Sequence, residues 1–250
     1  MDRLLIYTCC DETYYMFISL FCLSHLMYND NVDIEIGICT ESLPKDIEDS
    51  LTFIREKYPD SKIQIDYSAF ESGVYDGKRV LNNTMRFIIE PKICAKYVYI
   101  TDIDIVCCES ICKCHIDDMR NHNSNYSNMV RKGTNRMTGL HFSLYSAYYP
   151  VIDKIQDIDI TDNDEIVLYN IVKKDEYIDL SRDYRPVHGI HMSLNRDNVG
   201  GTTFIPGWGA DRWKDAWNDI CSTDDYRFIY SLFSDRMKAH VAKLNDYYEK

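Results

Sequence analysis

Strand-like segments alternate with helical ones over the first 67 residues, and this alternation restricts the possible folds more than any other feature of the sequence. Apolar, strand-like runs occur at 3–8, 33–39 and 63–67, and helical periodicity occurs at 14–28 and 44–58. Strands joined by helices in this order close by right-handed crossovers and form a mostly parallel sheet. We therefore predict an α/β fold built on a doubly wound sheet flanked by helices.

A further apolar segment, 97–100, is followed by two carboxylates, Asp102 and Asp104. Residues two apart on a strand point to the same face, so we expect these side chains to lie together. Ligands of doubly wound sheets bind beyond the carboxyl ends of the strands, where these residues fall. Two adjacent carboxylates repel each other and favour a divalent cation such as Mn²⁺ or Mg²⁺. The alternative is a strand-end turn with solvated aspartates.

Composition excludes some classes of function. With 40 acidic and 28 basic residues the net charge is −12, which argues against a nucleic-acid partner. The apolar fraction of 45% is sufficient for a full core, and we predict one domain over 1–250.

The cysteines and the hydropathy pattern bear on the compartment. The ten cysteines include two adjacent pairs, which fits free thiols in a reducing compartment better than a disulfide framework. The chain opens on an apolar strand that leaves no room for a signal peptide, and no apolar stretch is long enough to span a bilayer. We therefore expect a cytoplasmic protein with no transmembrane segment.

Several features together resemble a known family. They are the first strand, with Thr8 and Asp11 at its end, the segment at 78–94, interpreted as a helix that carries Arg86, and the run Tyr-Val-Tyr-Ile-Thr-Asp-Ile-Asp-Ile-Val at 97–106. The chain resembles the nucleotide-sugar-binding half of GT-A glycosyltransferases and is most similar to the family-eight-like group, whose metal motif is written Tyr-Leu-Asp-x-Asp. The resemblance covers residues 1–195.

The resemblance implies a GT-A-like arrangement of the whole chain. It implies a nucleotide-sugar-binding half at 1–115 and an acceptor-side half at 116–210. Residues 211–250 are then a C-terminal helical extension.

The resemblance also implies a metal site. Asp102 and Asp104 would hold Mn²⁺ or Mg²⁺ against the diphosphate of the donor, where the ion offsets charge on the leaving group. A late histidine would be the third ligand. His188 and His191 are the candidates, and their spacing allows only one to reach the metal. Arg196 occupies the region where the family has a lysine that contacts the diphosphate.

Other side chains gain implied roles from the same resemblance. Contacts with the donor are implied for Thr8, Asp11, Tyr14, Arg86 and Asp102. Helix capping, core packing and surface exposure are the alternatives for such residues.

The acidic pair Asp164 and Glu165 resembles the pair beside the transferred sugar in family-eight-like enzymes. In an inverting enzyme one of these carboxylates would be the general base on the acceptor hydroxyl, and in a retaining one it would support an oxocarbenium-like intermediate. Simple capping of the helix that follows is the alternative.

These observations predict a metal-dependent glycosyltransferase, of the hexosyl- or pentosyltransferase class. It would transfer a sugar from a nucleotide sugar, with UDP expected by resemblance, to a glycan or another hydroxyl acceptor. A sugar-phosphate nucleotidyltransferase is one alternative, but it would need a basic, glycine-rich loop after the first strand, and residues 8–12 lack both features. A non-catalytic nucleotide-sugar-binding module is the other alternative.

Overall fold

The parallel sheet predicted from the sequence is present. The structure is a computed structural model that describes residues 2–182, 187–192 and 210–249. The strands are β1 (Leu4–Cys10), β2 (Val32–Ile38), β3 (Ile63–Asp66), β4 (Val74–Tyr75), β5 (Lys78–Arg79), β6 (Tyr97–Ile100), β7 (Ile105–Cys107), β8 (Tyr126–Ser127), β9 (His141–Leu144) and β10 (Gly189–His191). The α-helices are α1 (Ile18–Tyr28), α2 (Lys45–Lys57), α3 (Met85–Ile88), α4 (Cys112–Asn121), α5 (Tyr145–Tyr148), α6 (Ile152–Ile155), α7 (Asp164–Asp175), α8 (Lys214–Ser222), α9 (Asp224–Leu232) and α10 (Asp235–Tyr248).

The main sheet has six strands in the order β3-β2-β1-β6-β9-β8. Strands β3, β2, β1 and β6 are parallel, whereas β9 is antiparallel to β6 and β8 is antiparallel to β9. Every residue of β1 is buried, as expected of a central strand covered on both faces. Because β1 and β6 are adjacent and parallel, their carboxyl ends lie at the same edge of the sheet.

Both faces of the sheet are covered. Along β1, Leu4 and Ile6 face the core formed with α1, α2 and the C-terminal helices. Leu5 and Tyr7 face the opposite core, which includes residues of α3 and α7. The predicted doubly wound architecture with helical layers is therefore confirmed.

Some local predictions from the sequence are wrong. The segment 78–94, predicted as a helix, contains only the second strand of the β4–β5 hairpin, a single 3₁₀ turn and the one-turn helix α3. The side chain of Asn82 forms hydrogen bonds with residues outside this segment. Its Oδ1 accepts a hydrogen bond from the Gly73 N–H at 2.6 Å, and its Nδ2 donates one to Asp11 at 2.7 Å. The polar stretch 121–128, which the sequence predicts to be turn-like, contains the edge strand β8 at 126–127.

The stretch 224–248, whose apolar periodicity predicts one long amphipathic helix, forms two helices. Helix α9 ends at Leu232, and α10 begins after Ser234, whose Oγ accepts a hydrogen bond from the backbone N–H of Met237 at 3.3 Å. A serine N-cap of this kind starts a new helix and breaks the apolar periodicity only slightly, so the sequence pattern alone does not reveal the break.

A second, two-stranded sheet pairs β7 with β10 in antiparallel orientation, with His191 opposite Ile105. The backbone N–H of Met192 extends this pairing by donating to the carbonyl of Asp104 at 2.8 Å. The two strands approach each other closely at Gly189, where an added Cβ would lie 1.8 Å from the carbonyl oxygen of Val106. The pairing therefore requires glycine there, and it places His191 beside the segment that follows β6.

The structure also describes the state of the cysteines and the lengths of the helices. All ten cysteines, each within the described residues, are free thiols. Among the described residues, no helix is both long enough and apolar enough to cross a membrane.

Three imidazoles are enclosed in the protein core. Burial lowers the pKa of His25 to about 4 and that of His141 to about 3, and it holds the pKa of His115 well below its usual value. These side chains are therefore neutral in the folded protein at neutral pH and charge readily only after unfolding.

We expect the free energy of unfolding to fall on mild acidification. Below pH 6.5 the unfolded chain binds protons at these positions that the folded chain does not, so each lowered histidine removes about 1.4 kcal/mol per pH unit until its folded pKa is reached. His141→Phe should therefore lose about 2 kcal/mol less than the wild type between pH 6.5 and 5, measured by urea unfolding. His122→Gln, at an exposed histidine, is the control. Parallel pH profiles for His141→Phe and the wild type would contradict this account.

Candidate active site

A cavity of about 450 Å³ lies at the carboxyl edge shared by β1 and β6. Its wall includes Cys9 to Asp11, at the end of β1, and Tyr14. It also includes Leu81 to Asn83 and Arg86 before β6, and Asp102 to Asp104 after β6. Arg131, Arg136, Thr138 to Leu140, Asp164, Glu165 and His191 complete the described lining. The predicted position of the site, beyond the carboxyl ends of parallel strands, thus coincides with a real cavity.

Asp102, Asp104 and His191 converge in this cavity. One potential ligand atom from each lies within 4.8 Å of the others. His191 Nε2 is 3.3 Å from Asp104 Oδ1 and 3.8 Å from Asp102 Oδ2. The two aspartates lie between β6 and β7, directly after the buried strand that the sequence predicts at 97–100. The pairing of β7 with β10 is what brings the histidine to them.

The chemistry of this donor set fits a divalent ion. Two carboxylates and one imidazole are ligands that Mn²⁺ and Mg²⁺ accept. Five carboxylates and three guanidinium groups line the cavity, so the carboxylates exceed the guanidiniums by two. Burial raises the pKa of Asp102 despite the nearby guanidinium of Arg86. Burial would also raise the pKa of Asp104, but His191 outweighs it and holds that pKa below its usual value.

Arg86 joins the two acidic parts of the cavity. The side chain is 4% exposed, and its Nη2 lies 2.8 Å from Asp102 Oδ1 and 3.2 Å from Asp164 Oδ2. The same nitrogen donates to the carbonyl of Gly139 at 3.3 Å. A Cβ at position 139 would lie 2.9 Å from this nitrogen, so glycine leaves room for the guanidinium.

Asp164 and Glu165 lie in the first turn of α7, but they do not cap it through their side chains. Asn163 is the cap, since its Oδ1 accepts from the backbone N–H of Glu165 at 3.1 Å. Asp164 faces Arg86, and Glu165 is held by Arg131 and Arg136. Both carboxylates therefore face the cavity rather than their own helix.

The residues predicted to contact the donor at the end of β1 fall into two groups, those that line the cavity and one that does not. Asp11 and Tyr14 line the cavity, and Asp11 is fixed by hydrogen bonds from the Thr13 N–H at 2.9 Å and from Asn82 Nδ2 at 2.7 Å. Thr8 is fully buried within β1 and is not part of the cavity lining. Arg196 lies outside the described residues.

Of the two candidate histidines, His188 is not brought to the two aspartates. Its Nδ1 lies 2.9 Å from Glu109 Oε1 and its Nε2 lies 2.8 Å from His115 Nε2. Positions 188 and 191 face opposite sides of an extended segment, so only His191 points to the cavity. Among the described residues, the group of Asp102, Asp104 and His191 is the one set of three ligands arranged for a metal.

Sequence reasoning missed three residues of the site: Asn82, Arg131 and Arg136. One signal was available, because 131–136 carries three cationic residues in an acidic chain. Nothing in the sequence distinguishes Asn82 from other polar residues.

No known protein family matches the chain, and no curated protein matches it in sequence. Solved structures of glycosyltransferases do match its fold. The apo form of glycosyltransferase GlyE from Streptococcus pneumoniae TIGR4 is 12% identical with a TM-score of 0.52, over 95% of this chain and 64% of that one. The chain thus spans less than two thirds of the length of GlyE.

Two further glycosyltransferases have similar folds. Galactosyltransferase LgtC, solved with donor and acceptor sugar analogues, is 9% identical with a TM-score of 0.55, over 91% of this chain and all of that one. The bifunctional glycosyltransferase WbbM is 9% identical with a TM-score of 0.51, over 92% of this chain and 52% of that one. These likenesses establish a GT-A-like fold for the chain.

We expect Arg86→Gln to lower the free energy of unfolding by about 3 kcal/mol, because it leaves the buried carboxylate of Asp164 and the partly buried carboxylate of Asp102 without their counter-charge. Urea denaturation measures the change. Arg79→Gln, at an exposed arginine of β5, should change the free energy by less than about 0.5 kcal/mol.

A double variant tests the cause. Asp164→Asn removes one of the two uncompensated charges, so combining it with Arg86→Gln should cost less than the sum of the single changes. Strict additivity would show that Arg86 stabilises the fold by packing and not by charge.

Proposed function

We propose that the protein is a metal-dependent glycosyltransferase that moves a sugar from a nucleotide-sugar donor to a hydroxyl acceptor. The convergence of Asp102, Asp104 and His191 at the carboxyl edge of a GT-A-like sheet carries this proposal. The two aspartates follow the buried strand β6, and the histidine arrives on a separate strand, β10. A cavity of about 450 Å³ is within the range of small-ligand sites.

Asp102, Asp104 and His191 would hold the metal, Mn²⁺ or Mg²⁺. When bound, such an ion acts as a Lewis acid that stabilises negative charge on a leaving diphosphate. The surplus of carboxylates in the cavity supports this assignment, since a divalent cation balances two negative charges.

The donor would lie between the metal ligands and the residues after β1. Tyr14 offers a half-buried ring for stacking on a base, and the Asp11 carboxylate offers acceptors for ribose hydroxyls. Asn82 positions Asp11 by its hydrogen bond. We propose UDP as the nucleotide because of the resemblance to the family-eight-like group.

The transferred sugar would lie against Arg86 and the first turn of α7. Of the two carboxylates there, Asp164 is the better candidate for a catalytic residue. Glu165 has both oxygens engaged by guanidinium groups, whereas Asp164 has an ion pair to Arg86 at 3.2 Å through one oxygen. A carboxylate held by a single contact keeps acceptor capacity for a substrate hydroxyl.

We expect UDP to bind only in the presence of Mn²⁺, and more tightly than GDP, in calorimetric titrations of the wild-type chain. Asp104→Ala and His191→Ala each remove a proposed ligand. They should weaken this binding by more than the roughly 10- to 100-fold that loss of an outer-shell partner costs.

His188→Gln is the matched control, because it removes an imidazole from the same segment of chain without touching the aspartates. Its nucleotide affinity should stay within a few-fold of the wild type. If the folded wild-type protein binds neither UDP nor GDP with metal present, the proposed function is wrong.

A further inference from the structure

A basic turn forms one wall of the cavity in an otherwise acidic protein. Residues 131–136 read Arg-Lys-Gly-Thr-Asn-Arg, with three cationic residues and no acidic one, whereas the whole chain has a net charge of −12. The backbone N–H of Arg131 donates to the carbonyl of Arg136 at 2.7 Å, and an antiparallel bridge joins Val130 to Met137. The turn therefore holds its two arginines side by side.

Both arginines share one carboxylate. Arg131 Nε donates to Glu165 Oε2 at 2.7 Å, and its Nη2 bonds Glu165 Oε1. Arg136 Nη2 lies 2.8 Å from the same Oε2. Asp164 makes its direct ion pair with Arg86 and acts on Arg131 only at longer range. Two guanidiniums thus share one directly bonded carboxylate at this wall of the cavity.

A purely structural role explains this arrangement poorly. The turn is already fixed to α7 by the backbone bond from the Met137 N–H to the carbonyl of Glu165 at 3.1 Å. One arginine satisfies both carboxylate oxygens, and a second one adds charge repulsion. Both side chains keep about 40% exposure at the cavity, and the buried Nε of Arg136 has no hydrogen-bond partner among the described residues.

We propose that Arg131 and Arg136 form a subsite for an anionic substituent, a carboxylate or a phosphate monoester, on the substrate that shares the cavity with the nucleotide. This inference rests on the proposed function. The proposed metal ligands and this pair are separate groups of the cavity lining, and Arg86 Nη2 contacts both Asp102 of the first group and Asp164, the neighbour of Glu165. One part of the cavity is therefore suited to a cation and another part to an anion. Arginine forks match the geometry of carboxylate and phosphate groups.

Two parts of the substrate can carry such an anionic group. It is carried either by the transferred sugar, as in a uronic acid, or by the acceptor, as in a sugar phosphate. Each source gives a different binding experiment on the full chain with Mn²⁺. The first compares UDP-glucuronic acid with UDP-glucose, and the second compares glucose 6-phosphate with glucose in the presence of UDP.

The matched variants are Arg136→Gln and Lys132→Gln. Each removes one positive charge from the same turn, but Lys132 is exposed and is not part of the cavity lining. Arg136→Gln keeps the two bonds from Arg131 to Glu165, which preserve the attachment of the turn. Calorimetry, or ligand-observed NMR for weak binding, measures the affinities.

We expect the anionic probe of one comparison to bind roughly tenfold or more tightly than its neutral counterpart. Arg136→Gln should abolish this preference and Lys132→Gln should keep it. Equal binding of anionic and neutral probes in both comparisons would overturn the proposal, and so would equal losses in the two variants. A tenfold loss of affinity for UDP itself in Arg136→Gln would also overturn it, because the guanidinium would then belong to the diphosphate.

The outcome for UDP separates this inference from the proposed function. If wild-type protein binds UDP and prefers no anionic probe, only the anionic subsite is wrong. If UDP does not bind, the proposed function is wrong, and the glucose 6-phosphate comparison is repeated without nucleotide. The subsite exists if the protein then prefers glucose 6-phosphate to glucose and Arg136→Gln abolishes this preference.

Discussion

Carboxylates gather at one edge of the sheet, and the fold can close there only because their repulsion is offset. Arg86, almost fully buried, contacts both Asp102 and Asp164 through Nη2. Removing water from such groups costs free energy unless opposite charges replace it. The position of Gly139 against the guanidinium shows that the backbone around the cavity is shaped to admit this ion pair. At Asp104 the direct contact is an imidazole, that of His191, and not a guanidinium.

How much the sequence reveals depends on how local each interaction is. The strand that precedes Asp102 and the edge of the sheet on which it ends follow from apolar patterning and strand order alone. The choice between His188 and His191 does not, because spacing shows that they face opposite ways but not which way the cavity lies. That choice is fixed by the register of β7 against β10. Likewise, the contact of Arg131 with Glu165 joins residues 34 apart in sequence, which no periodicity reveals.

Different parts of the cavity carry different charges, although the protein as a whole is acidic. One part has carboxylates with an imidazole, another has a buried ion-pair network, and a third has two guanidiniums on one carboxylate. A substrate that carries a metal-bound diphosphate and a second anionic group would match this pattern. Net charge alone, at −12, would have suggested repulsion of every such ligand. Local arrangement, not total charge, decides what the cavity accepts.

The antiparallel pairing at Gly189 has a consequence for how the chain assembles. Asp104 and His191 come from distant parts of the chain, and the loop between them must close before the histidine arrives, which is an entropic cost. The two aspartates follow β6, which pairs directly with β1, whereas His191 depends on the pairing of β7 with β10. An ion held by all three would bind the completed fold more tightly than any partly assembled one, so it would couple the early and late parts of the chain into one cooperative unit.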